Sequence, residues 1–169
     1  MGLFEKKYCD ICGGKIGLLG NRKLEDGNLY KECPAKLSPW FSDRRQSTID
    51  EIKQQLADRE ANREKVAAFN VTRTLGNSTK VLLDEDKAQM VVASGSNWKD
   101  DNPDVLDFSQ VTGCDLEIQE NRTELMEQGD DGMSKSYDPP RYDIDYNFRI
   151  TIHVNAPWFS DMSFLINDG

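Results

Sequence analysis

The sequence predicts an α+β protein: a small zinc-knuckle module of the ribbon or treble-clef type, a connecting helix, and an antiparallel β sandwich or partly open barrel. Three observations carry this. Cys9 and Cys12 stand two residues apart ahead of Gly13 and Gly14, apolar residues then recur at helical spacing, and from Val71 onward the pattern changes to alternation. The boundaries fall at 1–46 for the module, 47–69 for the helix and 70–169 for the β unit.

At the knuckle, YCDICGGKIG places two thiols on one tight turn, the arrangement that aims both sulfurs at a single metal. The partner pair should follow about twenty residues on. There the sequence reads YKEC, with Tyr30 at the third ligand position and Cys33 at the fourth. Cys9, Cys12 and Cys33 are therefore the candidate ligands for Zn2+, and Tyr30 makes the site weak or leaves it empty. Cys114 and His153 are too distant in sequence to serve as local replacements. A phenol with a reference pKa near 10 is a poor ligand, so Tyr30 is expected to lay its ring over the small core beside Leu37 and Trp40. That core is supplied by CPAKLSPWFSDRR through Leu37, Trp40 and Phe41, on a short helical turn that prolines interrupt.

Ser47 with Asp50 three residues later forms a short-armed capping box, opening a helix to about Phe69. Ile49, Ile52, Leu56, Val66 and Phe69 make its apolar stripe, but Asp58 to Lys65 is a charged middle with little to bury. This pattern predicts a connecting arm.

In the β unit, VLLD (81–84) and AQMVVA (88–93) flank an acidic tip and predict a hairpin. Thr112, Cys114, Leu116 and Ile118 share one face of the next strand, which predicts an inward Cys114. Every even position from Tyr142 to Val154 is apolar: Tyr142, Ile144, Tyr146, Phe148, Ile150, Ile152 and Val154. Such a run predicts a long strand with one face on a core and the other in water. His153 falls on the wet face. The intervening GDDGMSKSYDPP (129–140) reads as a flexible polar loop, and MSFLIN (162–167) as a last strand whose outer edge is open to a second copy or a strand-adding partner. PWFSD occurs twice, at 39–43 and 157–161, with unlike flanks. It reads as a reused turn in which the aromatics anchor and Ser-Asp bonds the backbone locally.

Charge divides the chain. Residues 1–79 carry 14 Lys/Arg against 11 Asp/Glu, while residues 80–169 carry 7 against 19, within a total net charge of -9. The acidic half favours basic partners. In the first half Lys6, Lys7, Lys15, Arg22, Lys23, Arg44 and Arg45 are candidates for phosphate contacts. No apolar run approaches the roughly 18 residues of a membrane span. Lys6 stands where a myristoylation signal needs Ser or Thr, no secretory apolar core precedes it, and three cysteines cluster in the first 33 residues, all of which predict the cytoplasm. No P-loop, nucleophile elbow or dinucleotide fingerprint is present, so no catalytic residue is nominated.

The segments CDICGGKIGLLGNRKLEDG, KLSPWFSDRR, STIDEIKQQL, AAFNVTRTLG, KVLLDED and DFSQVTG together resemble uncharacterised bacterial proteins, common in Gram-positive species, that carry an N-terminal four-cysteine zinc-ribbon domain of unknown function ahead of a β-rich region. The resemblance implies zinc at Cys9, Cys12 and Cys33, with Tyr30 at the position usually held by the remaining cysteine. DFSQVTGCDLEI also resembles the strand-turn-strand of PH-like or GRAM-like domains. The resulting expectation is a non-enzymatic cytoplasmic adaptor that binds a protein partner through its β unit. The alternatives are a nucleic-acid-associated regulator acting through the basic module, or an acidic inhibitor seated in a basic groove.

Overall fold

The computed structural model describes residues 6–167. The start of the chain, read above for a lipidation signal, and its end at Gly169 lie outside the described residues. A cysteine-rich region comes first, built from two short antiparallel ladders: β1 (Lys7–Tyr8) on β2 (Lys15–Ile16), and β3 (Asn21–Lys23) on β4 (Asn28–Tyr30). One helix, α1 (Ile49–Ala68), follows. The remainder is antiparallel sheet: β5 (Arg73–Gly76), β6 (Thr79–Asp84), β7 (Gln89–Ser94) and β8 (Leu106–Asp107) in one, and β9 (Val111–Gln128), β10 (Ser134–Val154) and β11 (Asp161–Leu165) in the other. The two sheets do not join into a closed barrel. They share one apolar core of Val81, Met90, Val92, Leu106, Ile152, Val154, Met162 and Phe164.

Helix α1 begins one residue later than the sequence suggests. Thr48 is the N-cap: its hydroxyl accepts the Glu51 N–H at 3.2 Å while the Glu51 carboxylate takes the Thr48 N–H at 2.7 Å. Glu51 has the reach for this reciprocal pair that Asp50 lacks. The charged middle of the helix also proves to have something to bury. Asn62 is buried, donating to the Asn102 side chain and the Pro103 carbonyl at 2.8 Å each and accepting the Val105 N–H at 3.0 Å. Arg59 pairs with Asp104 at 3.2 Å, and Ser38 from the module donates to the same carboxylate at 2.7 Å. The helix therefore lies against the β unit through a polar seam, with Ile52 in the module's core at one end and Val66 and Phe69 in a third apolar cluster at the other. A stripe search cannot see a helix face that buries amides instead of methyls.

The repeated PWFSD turns both work at this seam. Trp40 leaves the small module and enters the β core, its ring centroid 6.3 Å from that of Phe164, while Phe41 stays with the module. Trp158, from the second copy, reaches back and donates its indole N–H to Asp58 on α1 at 2.9 Å. In each turn the serine hydroxyl bonds the carboxylate of the next residue, Ser42 to Asp43 at 3.4 Å and Ser160 to Asp161 at 3.1 Å, a side-chain contact in place of the backbone one expected.

β9 and β10 form a long two-stranded ribbon of 18 and 21 residues. The expected loop at 129–140 shrinks to a tight turn closed by Gly129 N–H to the Met133 carbonyl at 2.8 Å, because β10 starts at Ser134 and Tyr137–Pro140 bulge out between the pairs Ser136–Met126 and Arg141–Leu125. Only the base of the ribbon is covered. Ile152 and Val154 are buried, but Leu116, Ile118, Tyr142, Ile144 and Tyr146 are between 43% and 58% exposed. Cys114 is exposed as well: it pairs with Ile152 on the same face, yet β9 is the outer strand of its sheet, and among the described residues it gives the shared core Val111 at its start.

Candidate metal centre

The residues around Cys9 fold as a knuckle for local reasons. Cys9 N–H donates to the Gly14 carbonyl and Gly13 N–H to the Cys9 carbonyl, both at 2.9 Å, and Gly13 takes φ +70°, which a side chain would resist. The turn aims the Cys12 N–H at Cys9 Sγ, 3.4 Å away. Asp10 ties it to β4, since its Oδ2 accepts the Asn28 N–H at 2.7 Å and its own N–H donates to the Asn28 carbonyl at 3.0 Å. Gly27 permits the close approach: a Cβ there would stand 2.6 Å from Asp10 Oδ2 and from Ile49 Cδ1.

Cys33 comes to this knuckle from the short turn after β4. Its Sγ lies 3.6 Å from Cys9 Sγ and 3.5 Å from Cys12 Sγ. Zinc–sulfur bonds of about 2.3 Å set sulfurs about 3.8 Å apart on a tetrahedron, so the three thiols occupy one face of a coordination shell with slight closure. They fit the group. Burial pushes the Cys9 thiol up, but N–H groups of Cys12, Tyr30 and Ile11 and the Cys12 thiol outweigh it, bringing it down to about 7. Burial, and then the neighbouring Cys12 and Cys9 sulfurs, raise Cys33 to about 12. Three sulfurs this close cannot all ionise without their charges repelling, and a divalent cation would relieve that repulsion by holding them as thiolates. When bound, the metal would act as a structural cross-link.

Tyr30 packs against the module's core with Ile11, Phe41, Ile49 and Leu56, around buried Cys9, Ile16, Leu24, Leu29, Cys33, Leu37 and Ile52. A Cβ on Gly14 would lie 3.2 Å from Cys12 Sγ and 4.0 Å from Tyr30 Cγ, so the ring stands beside the sulfurs. Its expected neighbour Leu37 is there; Trp40 is not. Among the described residues the metal-ligand cluster consists of Cys9, Cys12 and Cys33. The structure brings together all three predicted ligands and keeps Cys114 and His153 away on the ribbon.

With this geometry in view, similarity to known proteins enters. Residues 7–55 match a family described as Domain of unknown function (DUF4428). The DUF4428 segment spans the knuckle, Cys33, the first PWFSD turn and the opening of α1. No curated protein and no solved structure matches the chain.

Two further groupings were hidden in the sequence. His153, expected on a wet strand face, holds carboxylates with both ring nitrogens: Asp161 at Nδ1 (2.5 Å) and Asp115 at Nε2 (2.6 Å). These hydrogen bonds, Asp115 first and then Asp161, raise its pKa, and the bond to His153 lowers that of Asp161. The register that joins Asp115, His153 and Asp161 across three strands is not written in any one of them. Of the seven basic candidates in the first half, Arg22, Lys23, Arg44 and Arg45 line one concavity, whereas Lys7 and Lys15 stand on the β1–β2 ladder.

Proposed function

We propose that this chain is a non-enzymatic cytoplasmic adaptor, in which a thiolate-bound zinc staples the DUF4428 segment and the β unit, PH-like in its four-plus-three division of strands, presents the β9–β10 ribbon to a protein partner. The observation that carries the reading is the uncovered apolar face of that ribbon. Opposed residues of an antiparallel pair share a face, so Leu116 and Ile118 stand opposite Ile150 and Phe148, and further out on the same face Tyr146, Ile144 and Tyr142 meet Glu120, Arg122 and Glu124. The other face is Asp143, Asp145, Asn147, Arg149 and Thr151 against Thr123, Asn121, Gln119, Glu117 and Asp115. The apolar row of β10, with Leu116 and Ile118 beside its inner end, is thus a strip rimmed by Glu120, Arg122 and Glu124, a surface that suits cover by a partner.

Residues 111–154 carry ten Asp/Glu against four Lys/Arg, which suits a partner with apolar anchors and a basic rim. β9 leaves one backbone edge unpaired in the three-stranded sheet, and an added strand from the partner would extend it. The test is retention of a native-host protein by the full chain and by an Ile118→Asp/Ile144→Asp variant. A basic partner held by the first and lost by the second, with equal melting temperatures, supports the reading. Equal retention by both removes it, and a self-association lost in the variant would make the occupant a second copy.

A further inference from the structure

The turn between β2 and β3 has the wrong chemistry for a turn in water. Gly20 N–H donates to the Gly17 carbonyl at 3.1 Å, which closes a β-turn with Leu18 and Leu19 at its two corner positions. Corner positions favour Gly, Pro, Asn, Asp and Ser, whose polarity or backbone preference suits solvent. Here the two leucines are 88% and 93% exposed, the most exposed large apolar side chains among the described residues. At that exposure the described residues give them no cover, and a cation, Arg22, lies beside them.

Arg22 reaches back to this turn, its Nη1 donating to the Leu19 carbonyl at 3.3 Å. Beside it, Arg22, Lys23, Arg44 and Arg45 line a concavity of about 670 Å³ with Glu25 on its wall. Among the described residues none of these four cations makes a salt bridge, although the chain as a whole has a net charge of -9. Arg44 is half-buried, and burial, followed by the charges of Arg45 and Arg22, lowers its pKa. Gathering like charges this way costs stability unless an anion balances them.

We infer that this end of the module docks on an anionic phospholipid surface, with Leu18 and Leu19 entering the acyl boundary and the Arg22, Lys23, Arg44 and Arg45 concavity receiving a headgroup phosphate. The two features work on different parts of one ligand. Exposed leucines gain by leaving water, and they have no use for a soluble anion. Basic residues near an anionic leaflet add attraction that fades within a Debye length. A nucleic acid would satisfy the cations but would leave the leucines in water, since a Leu-Leu turn offers no aromatic plane for base stacking. The protein would lie on the membrane without spanning it: no helix of the described residues is long and apolar enough to cross one.

The experiment is co-sedimentation of the full chain with vesicles of phosphatidylcholine alone and of phosphatidylcholine with phosphatidylglycerol, beside titrations with inorganic phosphate and a single-stranded oligonucleotide. Retention is expected on the anionic vesicles only, reduced about a hundredfold or more by Leu18→Ser/Leu19→Ser, the loss that follows from keeping two leucines out of the acyl boundary. Arg44→Gln/Arg45→Gln should weaken vesicle retention and phosphate binding together. A Leu19→Trp variant gives a second readout, a blue-shifted emission on anionic vesicles, which holds even if the serine variant folds poorly. No retention on anionic vesicles overturns the inference. So does retention that the leucine substitutions leave unchanged, or oligonucleotide binding with no vesicle retention, which would assign the concavity to nucleic acid.

Discussion

The DUF4428 segment and the outer half of the β9–β10 ribbon face the same difficulty: each is too thin to bury a large core of its own. The segment closes around Leu24 and Leu29, almost wholly buried, and brings three sulfurs to within 3.4–3.6 Å of a backbone donor or of one another beside them. Among the described residues the ribbon's outer half has neither a cross-link nor a covering layer, and it leaves the apolar row of β10 in water. Small units need a staple or a partner; the three thiols are placed to supply the first, and the ribbon's uncovered face suits the second.

The largest expected effect is on the stapled region. Cys33→Ser should strip the module of whatever metal it holds and melt it ahead of the β unit, because metal binding at a structural site is coupled to folding. Metal analysis and a thermal melt check this, and an unchanged metal content would show that the three sulfurs are not the site. Tyr30→Cys tests the same point from the other side: a fourth thiolate beside the cluster should raise zinc occupancy, chelator resistance and melting temperature.

Next comes a contrast within one strand. Ile152→Asp places a charge in the shared core and should cost more than about 3 kcal/mol, while Ile144→Asp, eight residues along the same face, should stay within about 0.5 kcal/mol. Similar losses in urea melts would mean that the ribbon's outer face is covered in the free protein. Asn62→Ala probes the seam instead; it leaves partners on Asn102 and Val105 unsatisfied and should cost about 1–3 kcal/mol.

The smallest effect is set by pH at the ribbon's base. His153 has a raised pKa, so its contribution is complete below its ordinary value of about 6.5 and is lost as pH climbs through the raised one. Asp161 has a lowered pKa, so its contribution is complete above its ordinary value of about 3.9 and disappears as pH falls through the lowered one. The strand junction should therefore be firmest between about pH 4 and 6.5, and His153→Asn should flatten that dependence. An NMR titration placing His153 at or below 6.5 would sink the argument.

Much of this was legible in the chain itself. Knuckle spacing named Cys9, Cys12 and Cys33, and alternation found β6, β7 and the even face of β10, because ligand spacing and strand parity are local properties. The same parity misplaced Cys114. Alternation states which residues share a face, and only the packing of sheets states where the cover over that face ends. The Thr48 cap lay one residue from the predicted Ser47, within the reach of a longer carboxylate. Asn62 and Arg59 fall in the charged middle that hydropathy leaves with little to bury, because hydrogen-bonded burial has no hydropathy signature.

By itself, then, the sequence determined what backbone periodicity and covalent spacing dictate: the order of module, helix and strands, the spacing of the three thiols, and the alternation along β10. Tertiary structure alone decided which distant groups meet. It placed Trp40 in the β core, Asp104 between Ser38 and Arg59, His153 between two aspartates, and four cations around one concavity behind Leu18 and Leu19. Those meetings depend on register and on how layers are stacked, quantities fixed by the sum of many weak contacts and carried by no single stretch of chain.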